Sequence, residues 1–211
     1  MDALDSFDAA LTKTERRALA RLDSPAAIQA FLESVPYSTD DRYRCPLSVL
    51  RERRAHCYDG AVFAAALLRR IGCPPRIVNL FAERDDEHLL AVFQLAGHWG
   101  AVAKSNFVGL RFRSPVYRTQ RELVLSYFDV YYNLERLRSL RSYTRPLSLA
   151  SFDALHWMFD DAAMQRIAER LDSLKRIPLL TAQMVTRLNL IDERSYRAGM
   201  LGTDMDGVFV P

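Results

Sequence analysis

The pattern of apolar and polar residues predicts helices at the start of the chain. Apolar side chains recur at helical spacing over residues 7–22, which predicts one helix there. Ser24 and Pro25 predict the start of a second helix, because serine caps a helix well and proline fits its first position. A short helix over residues 46–53 is expected to lead towards Cys57.

The middle of the chain changes from helical to strand-like patterning. Residues 61–71 are strongly apolar and predict a buried helix, which Gly72 ends and which Pro74 and Pro75 cannot continue. Apolar, β-favouring segments follow and predict three strands, the last two joined by a short turn that contains Gly97. These strands are expected over residues 76–81, 88–95 and 98–104.

The remainder of the chain is mainly helical in pattern. Thr119 and Glu122 match a capping box, so a helix is predicted over residues 119–133. Residues 139–145 offer one more strand, and helical periodicity returns over residues 151–190. The order of helices, sheet and further helices predicts an α+β architecture without the regular strand–helix alternation of a parallel sheet.

The length and composition suit one globular domain. A chain of 211 residues can bury one sizeable core. We predict a single domain over residues 1–211, with a core over residues 24–145 and a C-terminal helical extension over residues 146–200. The net charge of +3 is mild, so nucleic acid is not an expected partner.

Cysteine usage and the N-terminus predict a compartment. The odd set of cysteines, at positions 45, 57 and 73, does not form a disulfide framework and indicates a reducing, cytoplasmic environment. The acidic N-terminus does not resemble a signal peptide. The longest apolar run, residues 61–68, is too short to cross a bilayer, so no membrane partner is expected.

The sequence lacks the motifs of cofactor-dependent proteins. It contains no phosphate loop, no dinucleotide fingerprint and no Gly-x-Ser-x-Gly nucleophile elbow. Its cysteines and histidines are not spaced as paired metal ligands, and it has no Cys-x-x-Cys. We therefore expect no cofactor and no metal, and any chemistry must come from side chains.

Cys57 is the strongest candidate for such chemistry. It lies where the apolar helix begins, and the positive end of a helix dipole favours thiolate over thiol. The thiolate is the nucleophilic form of cysteine, so this position is typical of a catalytic cysteine. The alternative is a small buried apolar residue, which is the commoner fate of a cysteine.

A base and an orienting group follow at the ends of the predicted strands. A nucleophilic cysteine needs a base, and the base needs a partner that orients it. His88 begins one strand, and the polar triplet Lys104-Ser105-Asn106 ends the next. Cys57, His88 and this polar triplet would then lie on rigid neighbouring elements, while the adjacent His56 is expected to point away from Cys57.

Several motifs occur in the order found in one known family. They are Cys57-Tyr58-Asp59 at the helix start, Leu68-Arg69-Arg70-Ile71-Gly72-Cys73-Pro74 at its end, His88 at a later strand start, and the turn Gly97-His98-Trp99. From Cys45 to Asn106 the chain resembles the transglutaminase-like superfamily in its small bacterial form. The resemblance implies a papain-like core in which a small antiparallel sheet packs on the cysteine-bearing helix, with flanking N- and C-terminal helices.

The resemblance also implies a cysteine acyl-transfer enzyme. Cys57 would attack an amide or ester carbonyl, and His88 would take the thiol proton and later give it to the leaving group. The oxyanion would bind the main-chain N–H of Cys57 and a second donor, for which Tyr37 and Tyr43 are candidates. The expected substrate is a peptide or amide, and hydrolysis is expected over cross-linking because no acceptor site is recognisable.

The sequence departs from the family at the third catalytic position. The family usually places an aspartate about four residues after the tryptophan, and Ala103 stands there. The resemblance then makes Asn106 the nearest substitute to orient His88, with Ser105 as the alternative, whereas Lys104 cannot accept a hydrogen bond. A second hypothesis therefore stays open: a catalytically inactive transglutaminase-like domain that acts as a binding or scaffold module, with the arginine-rich residues 111–121 as its partner surface.

Overall fold

The computed structural model describes residues 2–210, and Met1 and Pro211, the ends of the predicted domain, lie outside the described residues. The described helices are α1 (Ala3–Ala10), α2 (Lys13–Ala20), α3 (Pro25–Glu33), α4 (Pro46–Glu52), α5 (Cys57–Arg70), α6 (Gln120–Phe128), α7 (Ala162–Asp172), α8 (Ala182–Val185) and α9 (Glu193–Gly199). The strands are β1 (Arg76–Ala82), β2 (His88–Leu95), β3 (His98–Val102), β4 (Arg113–Tyr117), β5 (Leu140–Tyr143), β6 (Leu147–Ser148) and β7 (Ile177–Pro178). Short 3₁₀ segments occur at Val108–Leu110, Leu149–Leu155 and Met205–Gly207.

The described strands form one antiparallel sheet. Its order is β4-β3-β2-β1-β5-β7, and β6 also pairs with β1. Strands β1, β2 and β3 pair in chain order, with Leu80 opposite His88 and Gln94 opposite Trp99. The α+β prediction is confirmed, although the sheet is wider than predicted because it also contains β4, β6 and β7.

The two faces of the sheet belong to two apolar clusters. Side chains alternate along β2, so Leu89 and Ala91 pack in the cluster that contains α5, whereas Leu90 and Val92 pack in the cluster that contains α6. All of residues 58–68 in α5 are buried, which is why this helix is apolar on every side. The cysteine-bearing helix is therefore fixed along most of its length.

A buried lysine ties helix α3 to the end of β3. Lys104 Nζ donates a hydrogen bond to the Leu32 carbonyl at 3.0 Å and another to the Val35 carbonyl. These carbonyls end α3, so the ammonium group caps the negative end of the helix dipole. Burial lowers the pKa of Lys104 to about 8. Lys104 thus has a structural role in the fold.

Helix α5 passes very close to this lysine at Gly60. A Cβ atom built at Gly60 lies 2.2 Å from Lys104 Cβ and 3.4 Å from Lys104 Cα. Carbon atoms do not approach so closely, so a larger residue would force the helix and the strand end apart. Glycine at this position sets the distance between the cysteine-bearing helix and the sheet.

The first predicted helix is divided in two. The prediction of one helix over residues 7–22 is wrong, because the chain leaves the helical conformation at Leu11 and Thr12. The Glu15 N–H donates to Thr12 Oγ1, and the Thr12 N–H donates to the Glu15 carboxylate at 2.7 Å. This capping box starts a new helix inside a continuous helical pattern.

Two later helices are shorter than predicted. Helix α6 ends at Phe128, five residues before the predicted end at residue 133. Residues 179–190 belong to the helical pattern predicted over residues 151–190, but within them the helix is limited to Ala182–Val185. The chain just before this helix joins the sheet as β7. Tertiary pairing therefore overrides the local helical pattern here.

The domain division proposed above remains a prediction. Residues 146–200 supply β6 and β7, which pair with β1 and β5 of the predicted core over residues 24–145. Cys45, Cys57 and Cys73 are free. Within residues 2–210, no helix has both the length and the apolar character that a membrane span requires.

The close contact at Gly60 generates a stability prediction. We expect Gly60→Ala to lower the free energy of unfolding by about 1–3 kcal/mol, the usual cost of overpacking. Helix propensity alone favours alanine by roughly 1 kcal/mol, so it predicts the opposite sign. Urea unfolding of both proteins measures the difference, and a variant as stable as the parent would contradict the close approach of α5 and β3.

Candidate active site

The first turn of α5 is capped by the residues around Cys57. His56 is the N-cap residue, and its Nδ1 accepts a hydrogen bond from the Tyr58 N–H at 3.2 Å. The His56 N–H in turn donates to Asp59 Oδ2 at 3.3 Å. These bonds satisfy free donors of the helix end and define the position of Cys57 as the first helical residue. The His56 ring is occupied in this cap.

A buried ion pair holds the preceding loop against the helix tip. Asp59 is fully buried and Arg44 is 4% exposed. The Arg44 N–H donates to Asp59 Oδ1 at 2.8 Å, and the Arg44 guanidinium lies 3.5 Å from Oδ2. The same guanidinium pairs with Asp40 at 2.6 Å and with Glu52 at 2.7 Å. One cation therefore joins the loop, helix α4 and helix α5.

A short parallel bridge brings Tyr37 to Cys57. Tyr37 pairs with Ala55, and the Ser38 N–H donates to the Ala55 carbonyl at 3.0 Å. Burial raises the pKa of Tyr37, and negative charge on Cys57 or Asp86 would raise it further, whereas the main-chain N–H of Cys57 lowers it. The Tyr37 hydroxyl therefore stays protonated close to the first N–H of α5.

The surroundings of Cys57 favour the thiol over the thiolate. Burial raises its pKa to about 12, and the carboxylates of Asp86 and Asp59 add to the rise against the lowering by the Leu89 N–H. The sulfur lies 3.9 Å from the Glu87 carbonyl oxygen, to which the S–H donates. The sequence led us to expect a thiolate at the helix tip. Burial and the nearby carboxylates favour the protonated thiol instead.

The Leu110 carbonyl selects the tautomer of His88. His88 Nε2 lies 2.7 Å from that oxygen. A carbonyl only accepts hydrogen bonds, so Nε2 carries the proton and Nδ1 keeps a free lone pair. Burial lowers the pKa of His88 to about 4, and Arg113 contributes to the lowering, so the ring is neutral at pH 7.

Cys57 and His88 meet at one small pocket. They line a space of about 30 Å³ together with Tyr37 and Tyr131. One water molecule in the liquid occupies roughly this volume. Among the described residues no hydrogen bond joins the Cys57 sulfur to the His88 ring, since each has a carbonyl partner of its own. The structure brings the predicted nucleophile and base together without pairing them.

Asn106 is engaged elsewhere and, among the described residues, makes no hydrogen bond to His88. Its Nδ2 donates to the carbonyl oxygens of Asp204 at 2.7 Å and Gly207 at 3.2 Å, and its Oδ1 accepts from the Asp204 N–H at 2.9 Å. Both ends of the amide are thus used to hold a segment almost a hundred residues away. Asn106 binds the C-terminal segment instead of orienting the base.

Ser105 does not replace Asn106. Its hydroxyl accepts a hydrogen bond from the Phe107 N–H at 3.0 Å and so shapes the local turn. The partner of His88 is the main-chain carbonyl of Leu110. Sequence analysis missed this partner because every residue carries a carbonyl, so no residue type marks the position.

A larger groove opens beside Cys57. It encloses about 500 Å³ and is lined in part by Tyr37, Asn79 and residues 206–209. Its described lining contains His56 as a basic side chain but no lysine or arginine. Six carboxylates line it: Asp40, Asp41, Asp86, Glu87, Asp172 and Asp206. Asp40 is paired with Arg44 and Glu87 with Arg176, and the other four carboxylates favour positively charged ligands. No cluster of His, Cys, Asp or Glu within residues 2–210 is arranged to hold a metal ion.

The arginine-rich segment over residues 111–121 is partly structural. Arg113 donates to Ser126 Oγ at 3.0 Å, and its guanidinium lies 3.9 Å from the centre of the Tyr127 ring. Arg118 is exposed to solvent. Only part of this segment can therefore offer charge to a partner.

Comparison with known proteins identifies the family of this region. The family model described as the transglutaminase-like superfamily matches residues 8–108. These residues are a transglutaminase-like core. The matched range includes Cys57 and His88, and the family inferred from the sequence motifs is confirmed.

Two solved structures are similar to this chain. Two structures of LapG from Legionella pneumophila, one of them EGTA-treated, are each 12% identical to this chain, with a TM-score of 0.42. Each alignment covers 79% of this chain and 98% of the other chain. Among curated proteins, no sequence matches this chain significantly.

The high pKa of the transglutaminase-like core's cysteine generates a reactivity prediction. Because the pKa of Cys57 is about 12, its alkylation by iodoacetamide should accelerate about tenfold for each pH unit between roughly pH 7 and 10, in step with the thiolate fraction. Mass spectrometry follows each cysteine separately, with Cys73 as an internal reference. A rate for Cys57 that is constant below about pH 8 would indicate a preformed thiolate instead.

Proposed function

We propose that this chain is a cysteine acyl-transfer enzyme that hydrolyses an amide or peptide bond. The main support is the pocket shared by the Cys57 thiol and a neutral His88 whose Nδ1 keeps a free lone pair. The adjoining groove of about 500 Å³ has the size of a typical ligand site. The transglutaminase-like family of this region agrees with the same chemistry.

In the proposed reaction both groups start uncharged. The Cys57 sulfur leaves the Glu87 carbonyl and attacks the substrate carbonyl carbon, while His88 Nδ1 takes the thiol proton. The imidazolium then protonates the departing amine, which leaves an acyl thioester on Cys57. Water attacks this thioester, again with proton transfer to His88, and the carboxylic acid product and the free thiol are released.

Tyr37 is the proposed second donor to the oxyanion. Its protonated hydroxyl lies close to the Cys57 N–H, and it lines both the small pocket and the groove. Tyr43 lines the groove only and is 37% exposed. An oxyanion donor must approach the same point as the N–H of the nucleophile, which favours Tyr37 over Tyr43.

The groove suggests the substrate class and the free cysteines suggest the compartment. A lining of carboxylates attracts cationic groups, so we infer a peptide substrate that carries lysine or arginine near the reacting bond. The cytoplasmic location inferred from the cysteines remains part of this proposal and fits the free thiols of Cys45, Cys57 and Cys73.

The acyl-enzyme can be tested directly with p-nitrophenyl acetate. We expect a burst of about one p-nitrophenolate per chain, lost in Cys57→Ala and slowed by roughly 10²-fold or more in His88→Gln, since that is the usual contribution of a general base. The matched controls Cys73→Ala and His98→Gln should retain the burst. A burst that survives in Cys57→Ala, or equal effects of the two histidine variants, would contradict the proposal.

The role of Tyr37 can be separated from that of Tyr43. We expect Tyr37→Phe to reduce kcat by about 10²-fold with little change in KM, because the lost hydroxyl acts only on the transition state. Tyr43→Phe, its matched control, should retain most of the activity. Steady-state kinetics of both variants provides the test, and a larger loss in Tyr43→Phe would assign the donor to Tyr43.

A non-catalytic binding module is the second candidate function. It is favoured by the carbonyl partners that keep Cys57 and His88 apart and by Ala103, which stands where the family usually has an aspartate. The absence of any burst in the parent protein, combined with binding of a cationic peptide to the groove, would establish this alternative.

A further inference from the structure

The C-terminal part of the described chain lies across the candidate active site. We call residues 204–209 the strap. Asp206, Gly207, Val208 and Phe209 line the groove beside Cys57. Gly207 also lines the small pocket that Cys57 shares with His88. The strap thus forms part of the groove wall and reaches the small pocket.

Asn106 is the main polar anchor of the strap. Its side chain makes three hydrogen bonds to the main chain of Asp204 and Gly207, at 2.7, 2.9 and 3.2 Å. Asn106 is only 5% exposed, so these bonds are shielded from water. A primary amide that binds an N–H and a carbonyl of the same residue recognises a polypeptide main chain independently of its side chains.

The strap has room for only a small residue next to the pocket. A Cβ atom built at Gly207 lies 3.0 Å from a methyl carbon of Thr39 and 3.3 Å from atoms of Asn106 and Tyr37. Any side chain there would press against the proposed oxyanion donor and against the anchor. Glycine allows the strap to lie close to the pocket walls.

Few other contacts keep the strap in place. Met205 is 59% exposed, Phe209 is 40% exposed and the following Val210 is 76% exposed. A segment with little buried apolar surface opens locally at low free-energy cost. The strap is therefore anchored mainly by Asn106, and little buried apolar surface opposes its release.

We propose that the strap is an intramolecular blocker of the peptide groove, and that its release from Asn106 opens the site to substrate. This proposal rests on the proposed function of Cys57. It assigns Asn106 a regulatory role in place of the catalytic role expected from the sequence. It also indicates that a competing peptide would place a glycine where Gly207 lies.

The test compares a bulky and a small thiol reagent on the full chain. A peptidyl chloroacetamide must enter the groove, whereas iodoacetamide needs only the thiol. We expect Asn106→Ala and Gly207→Ala to raise the rate of Cys57 modification by the peptidyl reagent roughly tenfold, because each weakens main-chain hydrogen bonds or contacts that hold the strap closed. The iodoacetamide rate should change much less.

Met205→Ala is the matched control, because Met205 lies in the strap but lines neither the groove nor the pocket. Hydrogen exchange of residues 203–210 should speed up in the two release variants and not in this control. Faster exchange without faster peptidyl modification would overturn the blocker proposal. The blocker proposal would also be overturned if Met205→Ala raised the rate of peptidyl modification as much as the two release variants do.

The two reagents also separate this proposal from the proposed function. Alkylation requires no turnover, so the strap result stands even if no variant forms an acyl-enzyme. Conversely, a p-nitrophenyl acetate burst that is equal in the parent and in both release variants supports the acyl-enzyme, since this small ester does not need the groove. Gly207→Ala keeps the test valid if Asn106→Ala proves unstable, because the substitution lies in the strap and leaves the buried Asn106 side chain in place.

Discussion

The ion pair between Asp59 and Arg44 is the constraint on which the candidate site depends. Asp59 lies two residues after Cys57 and is fully buried, so its carboxylate must find partners inside the protein. It finds them in the Arg44 main chain and guanidinium and in the His56 N–H. One carboxylate thereby fixes both the start of α5 and the loop that carries groove residues. Burial raises the pKa of Asp59 to about 7, although the hydrogen bonds from Arg44 and His56 lower it. Loss of either partner would leave a buried polar group unsatisfied, which is costlier than losing an exposed ion pair.

The protonation of Cys57 shows which electrostatic effect dominates at this helix tip. A pKa near 12 in place of the usual 9 corresponds to roughly 4 kcal/mol in favour of the thiol. A helix N-terminus contributes only about 0.3–1 kcal/mol in the other direction. Burial and the nearby carboxylates therefore outweigh the dipole. In the proposed enzyme, Asp86 in the acidic lining would attract a cationic substrate, and it also helps to keep Cys57 protonated.

The sequence was sufficient to predict the elements that follow strong local signals. The start of α5 at Cys57 and the hairpin of β2 and β3 follow from apolar patterning and from a glycine-containing turn. The break between α1 and α2 has a local signal as well, the Thr12–Glu15 capping box, but the continuous helical spacing conceals it. Local sequence patterns could not predict which strands pair when they are far apart in the chain, such as β7 with β5.

The same distinction applies to the candidate site. Cys57 and His88 could be predicted because cysteine at a helix start and histidine at a strand start are visible as residue types. The partner of His88 could not, because it is a main-chain carbonyl of Leu110. The role of Asn106 could not either, since its partners lie 98 residues or more further along the chain.

The exchange of a carboxylate for a carbonyl beside the base has a chemical consequence. A carboxylate both orients a histidine and stabilises the imidazolium that forms during proton transfer, whereas a carbonyl mainly orients it. Ala103 packs in the apolar cluster that also contains Leu90, so an ionised side chain there would have to be buried among apolar groups. Burial lowers the pKa of His88 and Arg113 adds to the lowering, while the Leu110 carbonyl opposes it, so the imidazolium is costly and the neutral pair is the resting state. In the proposed enzyme, such a site would keep Cys57 protonated until substrate is bound, and the strap that lines the groove would limit access to the same thiol.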